Sequence, residues 1–89
     1  MRAVITVVGK DAVGIIAEVS NVLKNRGVNI IDISQSVISD MFAMVMMADI
    51  SECSIPFGDF AEELRLLGIK LGLDIHTMHE DIFNSMHRI

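Results

Sequence analysis

The chain has 89 residues and a net charge of −5, with seven Lys and Arg set against twelve Asp and Glu, a length that suits one domain over 1–89 without a linker. Its cations are scattered and its aromatics are four Phe, which argues against direct nucleic-acid binding, where clustered charge and stacking platforms are needed. No apolar run reaches the roughly 18–20 residues of a bilayer span, and the lone Cys53 with no signal-peptide pattern after Met1 gives the expectation of a cytoplasmic chain with no membrane partner.

Ala3–Val8 is a short β-branched run, the pattern of a strand covered on both faces. It ends at Gly9, and a polar turn, Gly9-Lys10-Asp11-Ala12-Val13-Gly14, leads into a helix expected from Asp11. Ile15, Ile16, Val19, Val22 and Leu23 form the apolar stripe of that helix, opposite Glu18, Asn21, Lys24 and Asn25. Arg26-Gly27 supplies a basic last turn and a glycine stop. Val28–Ile38 follows as a long strand, in which strict alternation puts Asn29, Ile31, Ile33, Gln35 and Val37 on one face. Ile30, Asp32, Ser34, Ser36 and Ile38 take the other.

Ser39-Asp40 is a tight polar break that returns the chain as a strand over Met41–Ile50, making a hairpin. This strand is apolar on both sides, with Phe42, Met44, Met46 and Ala48 on one and Met41, Ala43, Val45 and Met47 on the other, so both are expected to be covered. Pro56 opens a second helix with a stripe of Phe57, Phe60, Leu64, Leu67 and Leu71, stopped by Gly72. Leu73–Met78 reads as a fourth strand. Glu80–Arg88 reads as a final helix with acids first, His87 and Arg88 last, and Ile82, Phe83, Met86 and Ile89 on one side.

The order β-α-β-β-α-β plus a terminal helix is the ferredoxin-like α+β arrangement: one antiparallel sheet with two helices on one face. Two helices leave the other face to the terminal helix, a partner subunit, or both. A chain this short buries only about 60–65% of its unfolded surface, and the uncovered face therefore points to a homodimer. The methionines of the third strand suit either core filling or an adaptable interaction surface.

The turn from Gly9 to Ile16 leaves backbone N–H groups free at a helix start, which with the helix dipole suits an anionic or zwitterionic ligand. Each residue there also has a purely structural reading. Asp11 is a candidate helix N-cap, Gly14 allows close helix–sheet packing, and Asn29 satisfies backbone groups where a turn meets a strand. Elsewhere the chemistry is thin. His76, His79 and Glu80 invite a metal, but strand positions three apart face opposite ways and Cys53 has no paired ligand nearby. There is no phosphate-binding glycine loop, no Ser or Cys with a recognisable base, and no distinctive carboxylate pair; Asp32 and Ser34 suit a solvated or interfacial face. Neither catalysis, a cofactor nor a metal is expected.

The stretch Val7–Ser20, followed by Arg26–Ser36, resembles an ACT domain, most of all the small stand-alone ACT proteins similar to the glycine cleavage system transcriptional repressor. The resemblance spans essentially the whole chain, with 78–89 as a C-terminal extension. It implies a regulatory module that pairs with a second ACT domain and binds an amino acid or similar small effector between them. Carried over by position, one subunit gives Asp11, Ala12, Val13, Gly14 and Ile15, and its neighbour gives Asn29, Ile30 and Ile31. Asp11 is suited to an ammonium, the N–H groups near Gly14 and Ile15 to a carboxylate, and Asn29 to either. The family's better-known sites carry His or Asn in this loop where this chain has Gly9 and Asp11, so the effector's identity does not carry over. The alternative is a structural or adaptor subunit that pairs with another protein without a ligand.

Overall fold

The computed structural model describes residues 1–10 and 14–86; the expectations that fall on Asp11, Ala12, Val13, His87, Arg88 and Ile89 lie outside them. Seven elements follow in order: β1 (Arg2–Gly9), α1 (Ile15–Asn25), β2 (Asn29–Ile38), β3 (Met41–Asp49), α2 (Phe57–Leu71), β4 (Asp74–His79) and α3 (Glu80–Met86). The strands form one sheet in the order β2-β3-β1-β4 with every pairing antiparallel. This is the ferredoxin-like α+β topology expected from the element order.

β1 lies inside the sheet, and Ala3, Ile5 and Val7 are fully buried in the core beneath the two long helices. Opposite them on the same side are Met46, Met44 and Phe42 of β3 and Ile75 of β4, joined by Val19, Leu23, Phe60 and Leu64 from the helices. Gly68 of α2 allows close approach to β4, since a Cβ there would stand 2.9 Å from both the Ile75 side chain and the Leu73 carbonyl oxygen. Ile16 and Leu71, expected in the apolar stripes, are instead exposed at their edges.

The other side of the sheet is only partly covered. Val4 is fully buried there although it lies outside the main core, flanked in register by Met47 and Met78, where α3 packs against β1 and β4. α3 reaches no further: Ile82 and Met86 point outward, and Phe83 is half-buried, as is Glu80 at the start of the helix. Met41, Val45 and Val8 therefore remain exposed, which corrects the expectation that β3 is covered on both sides.

The turn from α1 to β2 closes by glycine. Gly27 is left-handed at φ 74°; its N–H donates to the Lys24 carbonyl at 3.2 Å and the Val28 N–H to the Leu23 carbonyl at 2.9 Å. Leu23 and Val28 both enter the core, the hydrophobic contact that accompanies this paired-bond helix end. A Cβ on Gly27 would stand 2.8 Å from the Glu52 carbonyl oxygen. The Arg26 guanidinium donates to both carboxylate oxygens of Glu63 at 2.9 and 2.8 Å, tying the end of α1 to α2.

β2 departs from strict alternation. Ile30 pairs with Ala48 and Asp32 with Met47, leaving Ile31 as an extra residue, a β-bulge. The extra residue reverses the expected placing of Asn29. Ile30, Ile33, Gln35 and Val37 stand on the helix side, while Asn29, Asp32, Ser34, Ser36 and Ile38 share the open side. The hairpin to β3 has two loop residues, with Ser39 at φ 57°, the positive first position that matches the twist of tight hairpins.

Candidate functional site

At the loop end of the sheet, α1 begins at Ile15 with Gly14 as its N-cap, so the N-cap position does not fall on Asp11. Gly14 has φ 74° and a Cβ on it would meet nothing within 4 Å among the described residues. Its conformation, and not close packing, accounts for the glycine, which corrects the packing reading. Gly14's carbonyl accepts from the Glu18 N–H at 3.0 Å, and among the described residues no side chain caps the helix. The N–H groups of this first turn therefore have no partner among the side chains of the described residues. Ile15 is buried in the core, so what it offers a ligand is its backbone. Gly9, where β1 ends, is held for a different reason, since a Cβ there would meet Leu73 at 2.2 Å.

The strand residues stand elsewhere. Asn29 opens β2, Ile30 and Ile31 follow it, and all three are exposed. The eleven residues of α1 separate them from Gly14, a helix about 16 Å long at 1.5 Å per residue. Within one chain the structure does not bring the two groups together.

At the Asn29 end the open face is charged. Asp49 is Asn29's register partner on β3, and Arg2 is Asp49's partner on β1. The Ser51 N–H donates to Asp49 Oδ1 at 2.9 Å, which is the main reason the Asp49 carboxyl sits below the ordinary carboxylate value; the Arg2 guanidinium and the Met1 ammonium lower it further. The Arg2 side chain is directed to Glu80 of α3, with Nε donating to Oε2 at 2.7 Å and Nη2 to Oε1. Sequence reading missed Asp49, because its relation to Asn29 depends on a register and a bulge that periodicity does not reveal.

An open cleft of about 520 Å³ is lined by Met1, Arg2, His79, Glu80, Asp81 and Ile82, and includes none of the expected site residues. His79 stacks on Phe57 with ring centroids 4.0 Å apart, while His76 lies on the opposite side of the sheet, 2.9 Å from Asp74. Among the described residues no three His, Cys, Asp or Glu are placed to hold a metal ion, and no helix is long and apolar enough to cross a membrane.

Comparison with known proteins agrees with this architecture. A UPF0237 protein from Clostridium perfringens is 51% identical over 89 residues, covering 100% of both chains. An ACT domain protein from Streptococcus pneumoniae has a solved structure with a TM-score of 0.82 and 38% identity, covering 93% of each chain. A protein described as a candidate glycine cleavage system transcriptional repressor matches with a TM-score of 0.68 and 30% identity, over 85% of this chain and 43% of its own. The model of the ACT domain matches residues 2–78. With that match, these likenesses and the observed strand order, the chain belongs to the ACT domain family.

Proposed function

We propose that this ACT domain is a homodimeric regulatory subunit that binds an amino acid or similar small effector across its subunit interface. The loop of one protomer, Asp11, Ala12, Val13, Gly14 and Ile15, would face Asn29, Ile30 and Ile31 of a second copy. Occupancy would then be relayed to a partner in amino-acid metabolism or its transcriptional control, the latter supported by the likeness to the protein described as a glycine cleavage repressor. The observation that carries this is the separation of the two groups by the full length of α1, since a site using both needs two chains. Gly14 adds a helix start that no side chain of the described residues caps, and the bare part of the sheet adds apolar surface for a second copy.

A thermal-shift screen of the twenty amino acids tests the ligand. At 100 times its dissociation constant an effector adds about 2.7 kcal/mol, a rise on the order of 10 °C or more for a domain of this size. Asp11→Ala is expected to remove that rise. Light scattering at micromolar concentration tests the assembly, and a strictly monomeric mass overturns the shared site. A second reading, an adaptor without a ligand, draws on Leu66 and Ile69, which point outward from α2 at 52% and 62% exposure. No response to any amino acid, with an intact dimer, would favour it.

A further inference from the structure

We propose that Asp49 is a further ammonium-binding carboxylate of the effector site, acting beside Asn29 in addition to the loop's Asp11, and that the bulge at Ile31 serves to bring Asn29 onto the same face as Asp49. This rests on the effector-binding reading above and adds to it a residue and a chemical requirement: the ligand carries a free, protonated amino group.

Three observations converge on it. Register makes Asn29 and Asp49 direct cross-strand partners, and such partners stand with Cβ atoms about 4.5–5.5 Å apart on one face. An amide and a carboxylate at that spacing can accept two hydrogens of one –NH₃⁺ group, the first through the amide oxygen and the second as a charge-assisted bond. The bulge is what creates the pairing. Without the extra residue Asn29 would share a side with Ile33, which packs against the core, and Asp49 would face away from it. Bulges commonly re-aim a side chain next to a functional site.

The carboxylate is also held in place and keeps its charge. The Ser51 N–H fixes one oxygen at 2.9 Å, while of the two neighbouring cations Arg2 gives its two guanidinium bonds to Glu80 and the Met1 ammonium donates to Ser51 Oγ at 3.0 Å. Asp49 is half-buried at the sheet surface, and Asn29 is exposed beside it. Asp32 stands on the same side one pairing along, opposite Met47. Its Oδ1 accepts from the Ile33 N–H at 2.9 Å, which makes it a charge-matched control.

The test uses the full-length chain and titration calorimetry with each of the twenty amino acids and its N-acetyl counterpart. Asp49→Asn keeps an oxygen for the Ser51 N–H and is expected to melt close to the wild type without ligand. It is expected to weaken binding of the responding amino acid by about 10- to 100-fold, the range for a hydrogen bond to a charged group. Asp32→Asn is expected to change it less than about threefold, as a screened charge out of contact would. The N-acetyl counterpart, lacking the ammonium, is expected not to bind the wild type. An Asp49→Asn protein that binds the amino acid as the wild type does overturns the assignment and leaves the effector reading standing. Equal losses in Asp49→Asn and Asp32→Asn also overturn it, showing a diffuse field in place of a contact. A wild type that binds none of the twenty overturns the effector reading and this assignment with it.

Discussion

β1 and β2 are built from similar residues and meet opposite fates. Val4, Ile5 and Val7 of β1 are fully buried, whereas Ile30, Ile31, Val37 and Ile38 of β2 are exposed and Ile33 alone is half-buried. The cause is position. β1 has β3 and β4 on its two sides, helices over one face and α3 over part of the other, while β2 ends the sheet and pairs only with β3. A β-branched run reports that a strand will form, not what will cover it. As an edge strand β2 carries two features that blunt a free edge, the bulge at Ile31 and the charge of Asp32, while Ile30, Ile31, Val37 and Ile38 leave apolar side chains exposed on it.

The difference can be pressed from its strongest side first. Ile5→Ala in β1 removes a fully buried side chain and is expected to cost about 3–4 kcal/mol in urea unfolding. The matched truncation Val37→Ala on β2 should cost less than about 0.5 kcal/mol in a dilute, dissociated sample. Equal costs would show that β2 is covered in the isolated chain.

β2 is instead held at its entrance. Gly27→Ala forces a Cβ into both a left-handed backbone and the Glu52 carbonyl, and is expected to cost about 2 kcal/mol or more. A loss under 0.5 kcal/mol would mean that the turn into β2 rearranges freely. The Arg26–Glu63 pair beside that turn gives a smaller effect with a defined pH dependence. The hydrogen bond from Arg26 holds the Glu63 carboxyl below its ordinary value, so its contribution is fully present above the unfolded carboxylate pKa. That contribution fades as pH falls through the lower, folded value. The pair is partly solvated, so at neutral pH the wild type should exceed Glu63→Gln by no more than about 1 kcal/mol. Melting curves should converge as the pH is lowered through the carboxylate range; a gap that widens there would reverse the assignment. Smallest in its effect on unfolding is Val37→Lys, within about 0.5 kcal/mol for the dissociated chain, but light scattering should show a lower average mass than for the wild type if β2 forms the proposed subunit interface.

How much of this was legible in the sequence follows the range over which each feature is decided. Arg26-Gly27 marks its helix end because the paired-bond turn is local, involving residues within one helical turn of each other. Gly72 marks the end of α2 for the same reason. The start of α1 was less legible: Asp11 has the chemistry of an N-cap, yet Gly14 holds the position, and choosing between them needs the backbone path out of β1. Ile16 fits the helical period and still lies at the exposed edge of the stripe, because the period marks a face and not how far its cover extends. Of the expected site residues, Gly14 and Ile15 lie at the loop end of α1, and Asn29, Ile30 and Ile31 lie beyond its other end. The bulge had no sequence signature, since Ile31 is neither glycine nor proline and the residues around it fit a regular strand.

That single extra residue also governs how this chain should be compared with its relatives. A one-residue insertion or deletion near Ile31 would exchange the faces of Asn29 and Ile30, which open the strand, while leaving the residues after the bulge in place. Two relatives aligned column by column can thus carry the same asparagine, one facing Asp49 and the other facing the core. Functional residues at this end of the sheet are therefore best transferred through strand pairing, and the presence of the extra residue is itself a trait to score across the family.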